Sequence, residues 1–168
     1  MTEQIVKGQS VAENKNKFII SIAGISEKNW IAETQIKMAA ETETIQLDRQ
    51  TVNQGVQFIF DHPDRGFYVI AKDVNNRSAG ILLVLKEWSD WRNGDVWWIH
   101  SVYVEKKFRR RGLFSQMFQF VENKGRTENV RGVRLYVEKE NIRAKAVYEQ
   151  LGMSSDRYDM YEKMFGEY

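Results

Sequence analysis

From Val102 to Ser115 the chain reads Val-Tyr-Val-Glu-Lys-Lys-Phe-Arg-Arg-Arg-Gly-Leu-Phe-Ser. This is the end of a strand, a basic turn with one glycine, and the opening of an amphipathic helix. Such an opening directs unpaired backbone N–H groups and the positive end of the helix dipole at whatever lies before it, which suits a phosphate. Ser115 can add a hydroxyl donor. Five of the 25 basic residues fall between Lys106 and Arg111, leaving 20 basic against 23 acidic, about −3, elsewhere. A local anion site fits that distribution better than the broad basic field that long nucleic acids need. A second chemical signal follows downstream, Asn141-Ile142-Arg143-Ala144 leading to Tyr148. Taken singly, each piece has a plain alternative. The loop could be a solvated basic turn or an RNA-contacting patch, Asn141 a helix cap, and Tyr148 a core residue on the face of Ala144, Val147 and Leu151.

Other residues could also do chemistry. His100 stands two before Val102 and four before Val104, so regular alternation places all three on one face of a strand; a histidine bonded to backbone is the plain reading. Trp88, Trp91, Trp97 and Trp98 crowd together with Asp90, Asp95 and Arg92. Alternation puts one of the adjacent pair Trp97 and Trp98 in the core. The others either pack the outer face of a sheet or, as Trp88, Asp90 and Trp91, form a wall suited to a cationic amine.

These residues need elements to position them. Strands are expected at 18–22, 66–74, 79–88, 96–104, 133–137 and 158–165. Helices are expected at 27–46, from the cap Asp48 to about His62 before Pro63, at 112–124, and at 142–151 with Gly152 as terminator. Asn75-Asn76 makes a hairpin of the second and third strands. The order gives an α/β (α+β mixed) class, a mixed sheet with helices on its faces. At 168 residues, with 42% hydrophobic and 29% charged content, one domain over 17–168 preceded by a tail or first segment at 1–16 is the expectation. The longest apolar run is Ala79–Leu85, far short of a membrane span, and residues 1–16 lack the apolar stretch of a signal peptide. A cytoplasmic protein with no membrane or nucleic-acid partner is expected. Without cysteine there is no disulfide, no thiolate metal site and no acyl-cysteine intermediate. No metal ligand set stands out.

The loop and the downstream signal together resemble the GNAT superfamily of acetyl-CoA-dependent N-acetyltransferases. The family's Gln/Arg-x-x-Gly-x-Gly/Ala pattern is met here by Arg109-Arg110-Arg111-Gly112-Leu113-Phe114, with Phe114 in place of the final small residue. The family's Asn-x-x-Ala-x-x-x-Tyr-x-x-x-Gly-[Phe/Met] pattern is met at Asn141, Ala144, Tyr148, Gly152 and Met153. The resemblance covers roughly 17–165 and is strongest over 96–153. It implies a mostly antiparallel central sheet of six to seven strands flanked by about four helices, splayed between 96–104 and 133–137. The pantetheine arm of acetyl-CoA (coenzyme A) would fill the splay, held by main-chain groups of the strand Val102, Tyr103 and Val104. The backbone of Arg109, Arg110, Arg111, Gly112, Leu113, Phe114 and Ser115 would cradle the pyrophosphate, with Phe114 turned into the packing or the cradle looser than usual. Asn141 would bond the pantetheine or cap its own helix.

The implied reaction is direct acetyl transfer to a primary amine in a ternary complex. The Val102 N–H would polarise the acetyl carbonyl, and Tyr148 would be the general acid toward the leaving thiolate. The base that takes the amine's proton is open among His100, Glu138, then Glu87 or Asp90, and a chain of waters. The acceptor is a small molecule or a peptide amine, and a homodimer is common in the family. A non-catalytic acyl-CoA-binding module of the same fold is the alternative function.

Overall fold

The computed structural model describes residues 17–166; the expected tail at 1–16 lies outside the described residues. The elements are β1 (Phe18–Ile22), α1 (Lys28–Thr42), α2 (Arg49–Asp61), β2 (Gly66–Asp73), β3 (Ser78–Ser89), β4 (Gly94–Val104), α3 (Leu113–Thr127), β5 (Gly132–Leu135) and α4 (Ile142–Gln150). The strands form one sheet in the order β1-β2-β3-β4-β5. Neighbours are antiparallel except for β4 and β5, which run parallel and are joined through α3.

Local chemistry accounts for the boundaries. The Asp48 carboxylate accepts from the Thr51 N–H at 2.7 Å and caps α2, which stops at His62 because Pro63 follows. Asp73 closes the β2–β3 hairpin by accepting from the Asn75 and Arg77 amides at 3.0 and 2.9 Å. α4 ends in a paired-bond cap: Gly152, at φ +79°, bonds the Glu149 carbonyl, and Met153 bonds the Tyr148 carbonyl.

The sheet is covered on both faces. α3 buries Leu113, Met117, Phe118 and Val121 against Val69, Leu82, Val84, Trp97 and Ile99. On the other face α1 and α2 bury Ile31, Ala32, Val56 and Ile59 against Tyr68, Ile70, Ile81 and Tyr103. Trp97 is fully buried, the core member of its pair with Trp98. Gly80 lets α3 come down onto the sheet: a Cβ there would stand 2.8 Å from the Tyr103 carbonyl and 3.4 Å from Leu113 and Met117.

Two expectations fail. The segment 158–165 forms no strand, so among the described residues the sheet has five strands, against the six to seven expected. Its apolar residues Tyr158, Met160, Tyr161, Met164 and Phe165 break the period of two, which leaves no single face to bury, and all five are exposed. Second, β4 does not alternate regularly. Tyr103 pairs with Ile81 but His100 with Leu83, so Leu82 faces two residues, Ser101 and Val102. Ser101 sits at φ +50° and forms a β-bulge. The bulge inverts the alternation: Trp97 and Ile99 face α3 before it, and Val102 and Val104 face α3 after it.

Candidate active site

The site is built where β4 and β5 part. Their pairing runs from Val96–Gly132 to Ile99–Leu135 and stops there. β4 continues five residues to Val104 with no strand beside it on that edge among the described residues, while the chain at 136–138 leaves the sheet. That is the expected splay, and the Ser101 bulge lies at its mouth.

At the far end of β4 a 3-10 turn at Lys106–Phe108 leads into the basic loop. Arg109 is extended, Arg110 is left-handed at φ +64°, and Gly112 is left-handed at φ +68°. Left-handed residues interleaved in this way turn successive N–H groups inward, a concavity suited to an anion. Gly112 is the N-cap of α3 and offers no side-chain cap, whereas α2 and α4 are capped by Asp48 and Asn141. The first-turn amides of this 15-residue helix therefore meet the loop with no side-chain cap from the N-cap residue. A Cβ on Gly112 would touch nothing within 4 Å, so the backbone there is open to approach. These features fit a pyrophosphate.

The loop's side chains divide. Leu113 is buried in the core. Phe114 is half-buried against the α3-side cluster and meets the Tyr148 ring edge-on at 5.4 Å, so its bulk is turned into packing and away from the cradle. Arg111 lies 5.6 Å over the Phe108 ring, and Ser115 is half-buried. Arg109 does not reach into the loop. Its Nε donates to the Val104 carbonyl at 2.8 Å and its Nη2 to Glu41 at 3.0 Å. Tyr103 points away from the splay into the α1–α2 core, its hydroxyl 3.2 Å from Glu41.

Tyr148 and His100 lie on opposite faces of the sheet. Tyr148 packs on Phe114 at the α3 side, and burial holds its phenol above the ordinary value. His100 is half-buried on the α1–α2 side, its Nδ1 3.3 Å from the Tyr136 hydroxyl and its ring edge-on to Tyr136 at 5.3 Å. Burial pushes its pKa down, so the ring is neutral at pH 7. The expectation that His100 shares a face with Val102 and Val104 is thus overturned, because the bulge turns the strand over between them. Glu138 is exposed, beyond β5, and its carbonyl accepts from the Asn141 N–H at 3.0 Å. The Asn141 side chain caps α4 through the Ala144 N–H at 3.0 Å.

Trp88, Asp90 and Trp91 gather at the β3–β4 hairpin end, where with Glu87, Trp98 and Arg134 they line a shallow cleft of about 330 Å³. Arg134 stacks over Trp98 at 5.6 Å and pairs with Glu87 at 2.8 Å, and Trp98 donates to the same carboxylate at 2.8 Å. Trp98 lies 6.2 Å from His100 and links this cleft to the splay. Trp88 is opposite Asp95, five residues from His100, or about 17 Å at strand rise. Trp98 is one of the four tryptophans grouped in the sequence, whereas Tyr136 and Glu41 carry no such signal there. Tyr136 was legible in principle as the neighbour of Leu135 at the end of a strand. Nothing in the sequence couples Glu41 to residues more than 60 positions away.

Residues 28–153 match the family model described as Acetyltransferase (GNAT) family. No curated protein matches the chain. Among solved structures, one described as a possible acetyltransferase from Clostridium difficile 630 is 39% identical, with TM-score 0.80 over 89% of this chain and 99% of that one. Glucosamine-6-phosphate N-acetyltransferase from Arabidopsis thaliana is 22% identical, with TM-score 0.69 over 89% and 99%. A predicted acetyltransferase from Clostridium acetobutylicum, solved with acetyl-CoA, is 16% identical, with TM-score 0.69 over 87% and 96%. The last two share the fold. The family match spans most of the chain and falls on the sheet, loop and helices just described, so the protein belongs to the GNAT acetyltransferase family.

Proposed function

We propose that this chain transfers acetyl from acetyl-CoA to the primary amine of a small molecule or peptide, directly and within a ternary complex. The observation that carries the reading is the β4–β5 splay ending at Ile99–Leu135, with an uncapped α3 and a left-handed loop at one end and an acid–base pair across it.

The backbone amides of 110–115 hold the pyrophosphate, Arg110 adds charge, and the exposed edge of Val102–Val104 bonds the pantetheine amides. Acetyl-CoA supplies an activated acyl group as a thioester. The Val102 N–H faces the acetyl carbonyl and stabilises charge that builds on its oxygen. Neutral His100, on the α1–α2 face, takes the proton of the incoming ammonium directly or through water; exposed Glu138 is the second candidate. Tyr148, on the α3 face, gives its proton to the departing sulfur. A phenol whose ordinary pKa is near 10 is protonated at pH 7 and acidic enough to serve a thiolate near 8.5. An acid and a base on opposite faces of the gap suit a displacement in which one group enters as the other leaves. Holding both reactants in the gap supplies much of the acceleration.

With no cysteine in the sequence, an acyl-cysteine relay is excluded. Initial velocities measured against both substrates are expected to give intersecting double-reciprocal lines; parallel lines would replace the ternary complex with a covalent relay.

The aromatic cleft at Trp88, Asp90 and Trp91 we assign to the distal part of the acceptor. Its distance from His100 favours an acceptor long enough to reach from the splay to the hairpin, with a cationic or aromatic far end.

A further inference from the structure

We propose that Glu41 is a positioning residue for the cofactor loop, acting through Arg109, and that Arg110 rather than Arg109 answers the phosphate with its side chain. The inference rests on the acetyl-CoA reading of that loop and goes beyond it.

Glu41 stands in the last turn of α1, 68 residues before Arg109. One carboxylate oxygen accepts from Arg109 Nη2 at 3.0 Å. The other accepts from the Tyr103 hydroxyl at 3.2 Å and faces Lys106 Nζ at 3.5 Å. The Glu41 side chain is only 21% exposed, and the Arg109 guanidinium beside it holds its carboxyl below the ordinary value. Arg109 meanwhile donates Nε to the Val104 carbonyl and lies over the Tyr103 ring at 5.4 Å. One turn earlier on α1, Lys37 bonds Glu105 at 2.9 and 3.0 Å and lies 5.4 Å over the same ring. Residues 103 to 106 and 109 are thereby tied to a single helix, on both sides of the junction between β4 and the loop.

A guanidinium with Nε on a carbonyl, one Nη on a carboxylate and its plane against an aromatic ring is a strut. It is directed back along the strand. Arg110 is the opposite case: exposed, left-handed, and with no side-chain partner among the described residues. Two effects compete when Glu41 is removed. Releasing Lys106 and Arg109 raises the positive potential near the loop, which favours an anion. Slackening the strut frees the backbone amides from the orientation that the anion needs. The second prevails, because the amides are the ligands and Arg109 is aimed away from them.

The test is acetyl-CoA affinity by titration calorimetry at two ionic strengths, with KM, kcat and unfolding midpoint, for Glu41→Gln, Arg109→Gln, the double variant and Arg110→Gln. Glu41→Gln and Arg109→Gln are each expected to raise Kd and KM about fivefold to tenfold, with kcat at saturating acetyl-CoA within about twofold of wild type. The double variant should be no worse than either single, as for two residues acting as one unit. Arg110→Gln should weaken binding and flatten its salt dependence, while Arg109→Gln keeps the wild-type slope. Tighter binding by Glu41→Gln would make Glu41 a competing counter-ion and overturn the proposal. Additive penalties, or a flattened slope for Arg109→Gln, would put Arg109 on the phosphate and do the same. A drop in midpoint matching the loss of affinity in Glu41→Gln would reduce the network to a fold contact. Failure of the wild-type protein to bind acetyl-CoA at all would instead remove the reading on which the proposal rests.

Discussion

At the residue scale the proposed chemistry turns on a phenol and an imidazole held in different environments. The Tyr148 phenol is raised by burial beside Phe114, so it keeps its proton through the neutral range and carries it into the proposed transfer to sulfur. Tyr148→Phe keeps the ring packing and removes the proton; turnover should fall at least about tenfold while acetyl-CoA KM changes little. Unchanged turnover would take Tyr148 out of the mechanism. His100 is shifted the other way, because burial favours its neutral form. Its folded pKa is below the unfolded value near 6.5, so the unfolded chain takes up the proton first. The stability linked to neutral His100 is full above about pH 6.5 and is lost as pH falls through the lower folded value. A urea midpoint followed downward from pH 7 should therefore decline less steeply in His100→Gln than in wild type. In the pH–rate profile the same replacement should remove the ascending limb below neutrality. A profile that keeps that limb would leave the base to Glu138 or to water.

At the element scale the decisive piece is the bulge in β4. Ser101 holds φ +50°, a region costing a non-glycine residue roughly 1–2 kcal/mol, and that strain sits at the mouth of the splay. Ser101→Gly should leave stability within about 0.5 kcal/mol of wild type, strain relief offsetting the greater freedom of the unfolded chain. Ser101→Val should lose about 1–2 kcal/mol in urea unfolding. Equal stability of the two would mean that the bulge imposes no left-handed requirement. This bulge also marks what the sequence could not disclose. The strand at 96–104, the helix after Gly112 and the cap at Asn141 were legible because apolar periodicity and capping chemistry are local. The bulge is a mismatch of register between Leu82 and two residues of β4, and serine carries no signature for it. Likewise Arg109 reads as one of three equivalent arginines until the fold brings Glu41 to it. The segment 158–165 is rich in tyrosine and methionine, but strand-forming side chains make a strand only where a partner edge and a single buried face exist.

At the scale of the whole molecule, the three layers do one job. α3 fixes the loop from one side of the sheet, α1 fixes it from the other through Glu41 and Lys37, and the parallel pair β4–β5 opens between them. Among the described residues no helix is long and apolar enough to cross a membrane. The gap, the cradle and the acid–base pair all serve one claim, that acetyl passes from coenzyme A to an amine in the splay. The most direct measurement is free thiol released from acetyl-CoA across a panel of amines that includes polyamines and peptide N-termini, with acetylated product counted by mass spectrometry. The account predicts thiol release that requires an amine, matches product one for one, and collapses in Tyr148→Phe. Tight acetyl-CoA binding with no thiol release above background for any amine would contradict it and leave an acyl-CoA-binding module on the same fold.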